Sequence, residues 1–109
     1  MTHTHTHYKT VCLCGSTKFK KEYEDAMLQE SLKGYIVLTV CCFSQSDGLK
    51  ITEEQKDLFD KIHIAKIDMS DDILVVNPED YIGNSTKNEI EYAKCAGKNI
   101  RYMFPHEEI

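Results

Sequence analysis

The chain has 109 residues, 41% of them hydrophobic and 28% charged, enough for one compact domain and too few for two. Its formal net charge of −5, with no basic stripe, argues against a nucleic-acid polymer as partner. No run approaches the ~18 apolar residues of a membrane span, and the N-terminus lacks the apolar core of a signal peptide. A cytoplasmic protein with no membrane partner is expected.

Residues 1–9 read as a flexible tail and 10–109 as the domain. In the opening MTHTHTHYK, His3, His5 and His7 alternate with threonines. If extended, they would share one face and chelate a metal weakly. No carboxylate or cysteine nearby completes a site, so no metal is expected. Five cysteines (Cys12, Cys14, Cys41, Cys42 and Cys95) contain no CxxC pair. Without an export signal they read as reduced thiols, small buried hydrophobes on strands.

The first apolar run, TVCLC (10–14), has the length and branched residues of a buried parallel strand. CGST (14–17) then leads toward a helix. Gly15 permits a tight turn, and Ser16 and Thr17 offer hydroxyls beside unpaired helix N–H groups, which suits a phosphate or a sugar hydroxyl. The same residues also serve as a simple N-cap. There is no GxGxxG and no GxxxxGK[ST]. The first helix carries Phe19, Tyr23, Ala26 and Met27 on one face, continued by Glu30 or Leu32, and stops near Gly34.

YIVLTV (35–40) is the second strand, and CFSQSDGLK (42–50) is the longest irregular stretch, placed to act as a lid or substrate loop. The second helix opens at Thr52 with Gln55 three residues later, a capping box, and Leu58, Phe59, Ile62, Ala65 and Met69 form its inward face. His63, on this helix, reads either as a partly buried histidine or as a proton-transfer group. Asp68, Asp71 and Asp72 oppose the helix dipole and read as solvated helix-end and turn residues.

DILVV (72–76) is the third strand. The connection NPEDYIGNST (77–86) delivers Ser85 and Thr86 to a third helix, which has Ile90 and Ala93 inward and Gly97 as its stop. NIRYM (99–103) is the last strand. Thr86-Lys87-Asn88-Glu89 matches a capping box, in which Glu89 would return to the Thr86 N–H and stabilise the helix by about 1 kcal/mol. The same position suits a catalytic carboxylate, kept ionised by the helix dipole as a nucleophile requires.

The order β-α-β-α-β-α-β implies an α/β fold: a parallel sheet of about four strands, right-handed crossovers and helices on both faces. Ligands of such sheets bind beyond the carboxyl ends of the strands. There CGST, CFSQSDG and NPEDYIGNST converge.

Taken together, VCLCGST, HIAKIDMSDDILVV and YIGNSTKNEIEYAKCAGKNI resemble the nucleoside 2-deoxyribosyltransferase superfamily, which includes the 2′-deoxynucleoside 5′-phosphate N-hydrolases and many small bacterial proteins. The resemblance spans Thr10 to Met103. It implies a single Rossmann-like or flavodoxin-like domain that needs neither cofactor nor metal. It also implies cleavage of the N-glycosidic bond of a (deoxy)nucleoside or its 5′-monophosphate, by hydrolysis or by transfer to another base. Glu89 matches the nucleophile that forms a covalent glycosyl-enzyme. Cys14, Gly15, Ser16 and Thr17 match the loop against the sugar or 5′-phosphate, and Gly83, Asn84, Ser85 and Thr86 match the second part of that site.

Cys12 stands where the family has a tyrosine that hydrogen-bonds the nucleophile. Ile64 stands where it has an aspartate for the departing base, which leaves His63 or Asp68 as substitute proton donors. The resemblance further implies a homodimer or higher homo-oligomer, with Tyr102, Met103 and Phe104, or an exposed face of the second helix, as interface. The alternative to an enzyme is a nucleotide-binding or nucleotide-sensing domain that keeps the pocket without the chemistry.

Overall fold

The computed structural model describes residues 7–107, so His3, His5 and the first six residues of the expected tail lie outside the described residues. In chain order the elements are β1 (Thr10–Gly15), α1 (Lys20–Leu32), β2 (Ile36–Leu38), α2 (Glu53–Asp68), β3 (Asp72–Val76), a short 3-10 turn (Pro78–Asp80), α3 (Asn84–Cys95) and β4 (Asn99–Tyr102). The four strands form one parallel sheet in the order β2-β1-β3-β4. The expected α/β architecture is therefore present. The direction of travel reverses between β1 and β3, which places a switch point at the carboxyl end of β1.

The side-chain period of two divides the central strands between two cores. Val11, Leu13, Leu74 and Val76 pack with Tyr23 and Ala26 of α1. Cys12, Cys14, Ile73 and Val75 pack on the opposite face with Ile67 of α2 and with Ile90 and Ala93 of α3. Helices thus cover both faces, and β1 and β3, buried on both sides, read as unbroken apolar runs. Strand β2, at the edge, pairs over only three residues and is shorter than its apolar run.

Helix α2 begins as its sequence predicts. Gln55 N donates to Thr52 Oγ1 at 3.1 Å, and Thr52 N donates to Gln55 Oε1 at 2.9 Å. Its orientation differs from expectation. The buried face carries His63 and Ile67, while Leu58 (53% exposed), Ile62, Ala65 and Met69 (70% exposed) point outward. Apolar periodicity identified a stripe but not the stripe that meets the sheet.

On α1 the inward position is Glu30, not Leu32. The buried carboxylate pairs with Arg101 of β4 and with Lys33 at 2.9 Å. Arg101 Nε also donates to Asp72 Oδ2 at 3.1 Å, and Tyr35 OH donates to that oxygen at 2.8 Å. Asp72 is therefore buried in an ion-pair network rather than solvated.

Candidate active site

The site begins with Gly15, the last residue of β1. A Cβ there would lie 2.7 Å from the Val76 carbonyl oxygen and 3.2 Å from Tyr23 OH, so no larger residue fits without movement of backbone. Tyr23 OH donates to the Gly15 carbonyl at 2.8 Å and fixes this end of the strand.

Residues 16–19 then turn before the helix, with Phe19 N donating to the Ser16 carbonyl. Because α1 starts only at Lys20, Ser16 and Thr17 do not stand at its N-terminal N–H groups, contrary to the sequence expectation. They reach sideways instead. Ser16 Oγ donates to Gln45 Oε1 at 3.2 Å, Thr17 Oγ1 lies 3.4 Å from Ser44 Oγ, and Gln45 N donates to Thr17 Oγ1 at 3.3 Å. Lys20 pairs with Asp47 at 3.0 Å. The long loop after β2 is thus tied down beside the turn. Lys18, over the Tyr81 ring at 3.6 Å, links that turn to the loop before α3.

Helix α3 starts at Asn84, earlier than its capping pattern suggests, with Gly83 in extended conformation at the N-cap and Lys87 N donating to the Gly83 carbonyl at 2.9 Å. Thr86 is consequently the third helical residue and is buried, and Glu89 lies in the second turn. The Thr86–Glu89 capping box is therefore not formed. No side chain caps α3, so its first N–H groups remain open to a ligand.

A cavity of about 760 Å³ occupies the carboxyl end of the sheet. It brings together most of the expected site: Gly15, Ser16 and Thr17 on one side, Gly83, Asn84, Ser85 and Thr86 on another, with His63 and Glu89 on its wall. Cys14 lies fully buried behind these groups. Asp68 is not part of the cavity. It sits at the last turn of α2, where Tyr92 OH donates to its carboxylate at 2.7 Å, which removes it as a proton donor to a ligand here. Lys50, Lys56 and Lys66 also line the cavity. The spacing pattern missed these lysines because the loop after β2 and the outer turns of α2 carry no motif of their own.

Glu89 is only 15% exposed, and its Oε1 lies 3.9 Å from His63 Nε2. The same imidazole nitrogen is 3.6 Å from Cys12 Sγ and 3.5 Å from Cys14 Sγ. Burial pushes the Glu89 carboxyl up to about 7, while the positive charge of His63 pulls the other way. Burial thus outweighs the helix dipole, whose effect fades beyond the first turn, and raises the Glu89 carboxyl.

For Cys12, the neighbouring Cys14 thiol and then His63 outweigh burial and bring the thiol down to about 6. Cys14 moves in the opposite direction, well up, because of Cys12, burial and Glu89. Burial works to lower His63, but the Cys12 thiolate and Glu89 overcome it and raise the imidazole. The result is a compact group of four titratable side chains, one of which is a carboxylate facing the cavity.

No protein-family model matches the chain, and no curated protein matches it either. Among the described residues, no helix is long and apolar enough to cross a membrane.

Proposed function

We propose that this protein cleaves the N-glycosidic bond of a (deoxy)nucleoside or its 5′-monophosphate, with Glu89 as nucleophile. The observation that carries the reading is a half-buried carboxylate on the wall of a nucleotide-sized cavity, beside a helix start left without a side-chain cap. The motif resemblance supplies the chemistry, and the cavity gathers the residues that the motifs contain.

In the proposed reaction a Glu89 carboxylate oxygen attacks the anomeric carbon. The carbon–nitrogen bond breaks, and its electron pair leaves with the base, which takes up a proton. Water then attacks the same carbon, the ester bond to Glu89 breaks, and its electron pair returns to the carboxylate. The water's proton is released, and the two displacements retain configuration. A second base in place of water gives transfer. None of these steps calls on a cofactor.

His63 faces Glu89 and the strand thiols, on the nucleophile's side of the site, so we assign it to charging and orienting Glu89 rather than to protonating the departing base. The open N–H groups of α3 suit a 5′-phosphate, and Lys50 on the cavity wall adds positive charge. Gly15, Ser16 and Thr17 also line the cavity, and we assign them to the sugar.

Self-association is part of the proposal, supported by the exposed apolar side chains of Leu58 on α2 and Met69 at its C-cap. Sedimentation measures it, and a monomer at every concentration would remove that part.

The test is release of free base from a panel of deoxynucleosides and their monophosphates. Release by the wild type that is lost in Glu89→Gln supports the proposal. Thermal stabilisation by a nucleotide without base release supports the sensing alternative instead.

A further inference from the structure

Sequence spacing offered no metal motif, since the cysteines lack a CxxC pair. The fold nevertheless assembles a donor set from distant positions. Cys12 and Cys14, two apart on β1, direct both thiols to the same face, and α2 sets His63 against them. One donor atom from each of these three buried residues falls within 4.8 Å of the others.

We propose that Cys12, Cys14 and His63 form a binding site for a borderline-soft transition metal, Zn²⁺ in the first instance. Tetrahedral zinc with thiolate and imidazole ligands at their usual bond lengths separates sulfur from nitrogen by about 3.6 Å. The two sulfur–nitrogen distances here are 3.6 and 3.5 Å, which match that spacing. Glu89 Oε1, 3.9 Å from His63 Nε2, lies outside this three-residue donor set, and it borders the cavity, which gives the metal a route inward and leaves the fourth position to water or a ligand. Two sulfurs and one imidazole select zinc and its soft neighbours over magnesium or calcium.

A Cys12–Cys14 disulfide is the poorer alternative. Same-face neighbours on a strand lie roughly 6.6 Å apart at Cα, near the upper limit for a disulfide.

The site shares His63 with the glycosidic reading but does not rest on it. A metal on His63 takes the imidazole away from Glu89, so the loaded form is expected to be weaker in base release. Metal binding has its own readout whether or not any base is released.

The experiment uses the full chain, stripped with chelator and titrated with Co²⁺ and then Zn²⁺ under reducing conditions. Expected are one Co²⁺ per chain, a thiolate-to-cobalt charge-transfer band, the visible bands of a tetrahedral centre, and displacement of cobalt by zinc. Cys14→Ser should abolish the charge-transfer intensity of a two-thiolate site and weaken Zn²⁺ binding by more than about 100-fold, because even outer-shell losses cost 10–100-fold. A second variant, with Cys41, Cys42 and Cys95 all changed to Ser and His3, His5 and His7 changed to Ala, guards against folding failure of the first. It retains only Cys12 and Cys14 as thiols and should keep the full spectrum. Absence of a thiolate band in the wild type, or its loss in this second variant, would overturn the proposal.

Discussion

Glu89 Oε1 and His63 Nε2 lie 3.9 Å apart, although they come from different helices and neither belongs to a shared sequence motif. Their meeting follows from α2 and α3 packing on the same face of the sheet, over the thiols of β1. It converts a carboxylate that looks like a helix cap into one that faces a cavity with a histidine beside it.

The burial of Glu89 gives the first prediction, made for chelator-treated protein. Its folded pKa of about 7 lies above the ordinary value of 4.5. The folded state therefore holds more protons than the unfolded state between these values, and stability contributed by Glu89 falls as pH rises through that window. Relative to wild type, Glu89→Gln should gain on the order of 2 kcal/mol of stability between pH 5 and pH 8. Denaturant unfolding of both proteins at the two pH values measures the gain. A constant difference would show that Glu89 does not titrate as a buried group.

The helix-cap reading of Glu89 predicts something else, a loss near 1 kcal/mol in Glu89→Ala. With Gly83 at the N-cap and Glu89 in the second turn, no capping loss is expected at pH 8. An Ala variant clearly weaker than Gln at that pH would restore the cap.

Gly15→Ala should destabilise the fold by about 1–3 kcal/mol, because the new methyl meets the Val76 carbonyl at 2.7 Å and backbone must yield. Thermal melting reads this directly. A neutral substitution would mean that β1 and β3 separate more easily than their pairing suggests.

Arg101 holds two buried carboxylates, Glu30 and Asp72, at the end of the sheet opposite the cavity. Removing one partner of a buried ion pair leaves uncompensated charge. Arg101→Met should cost about 3 kcal/mol, toward the low end for such losses because the guanidinium is 27% exposed. Changing Glu30 to Met in addition should recover part of the loss. If the double variant is weaker by the full sum, the pair is not coupled.

Much of the fold was legible because strand burial and helix alternation leave strong local marks. TVCLC and DILVV become β1 and β3 almost to the residue, and the Thr52–Gln55 box forms as its spacing requires. Side-chain orientation was less legible. Leu58, Ile62 and Met69 make as good an apolar stripe as Ile64 and Ile67, and only tertiary packing decides which one meets the sheet. The starts of α1 and α3 were misplaced because a four-residue turn before α1 and Gly83 before α3, rather than the Ser and Thr hydroxyls, set where each helix begins. The relation among Cys12, Cys14 and His63 spans about half the chain, and no local spacing encodes it.

The most direct test of the central claim is to trap the intermediate. The protein is mixed with a deoxynucleoside 5′-monophosphate from the panel, quenched rapidly in acid and analysed by intact-protein and peptide mass spectrometry. Expected is a gain of one deoxyribosyl phosphate group, located on Glu89 and absent from Glu89→Gln. Base release without such an adduct, or an adduct on another residue, would contradict it.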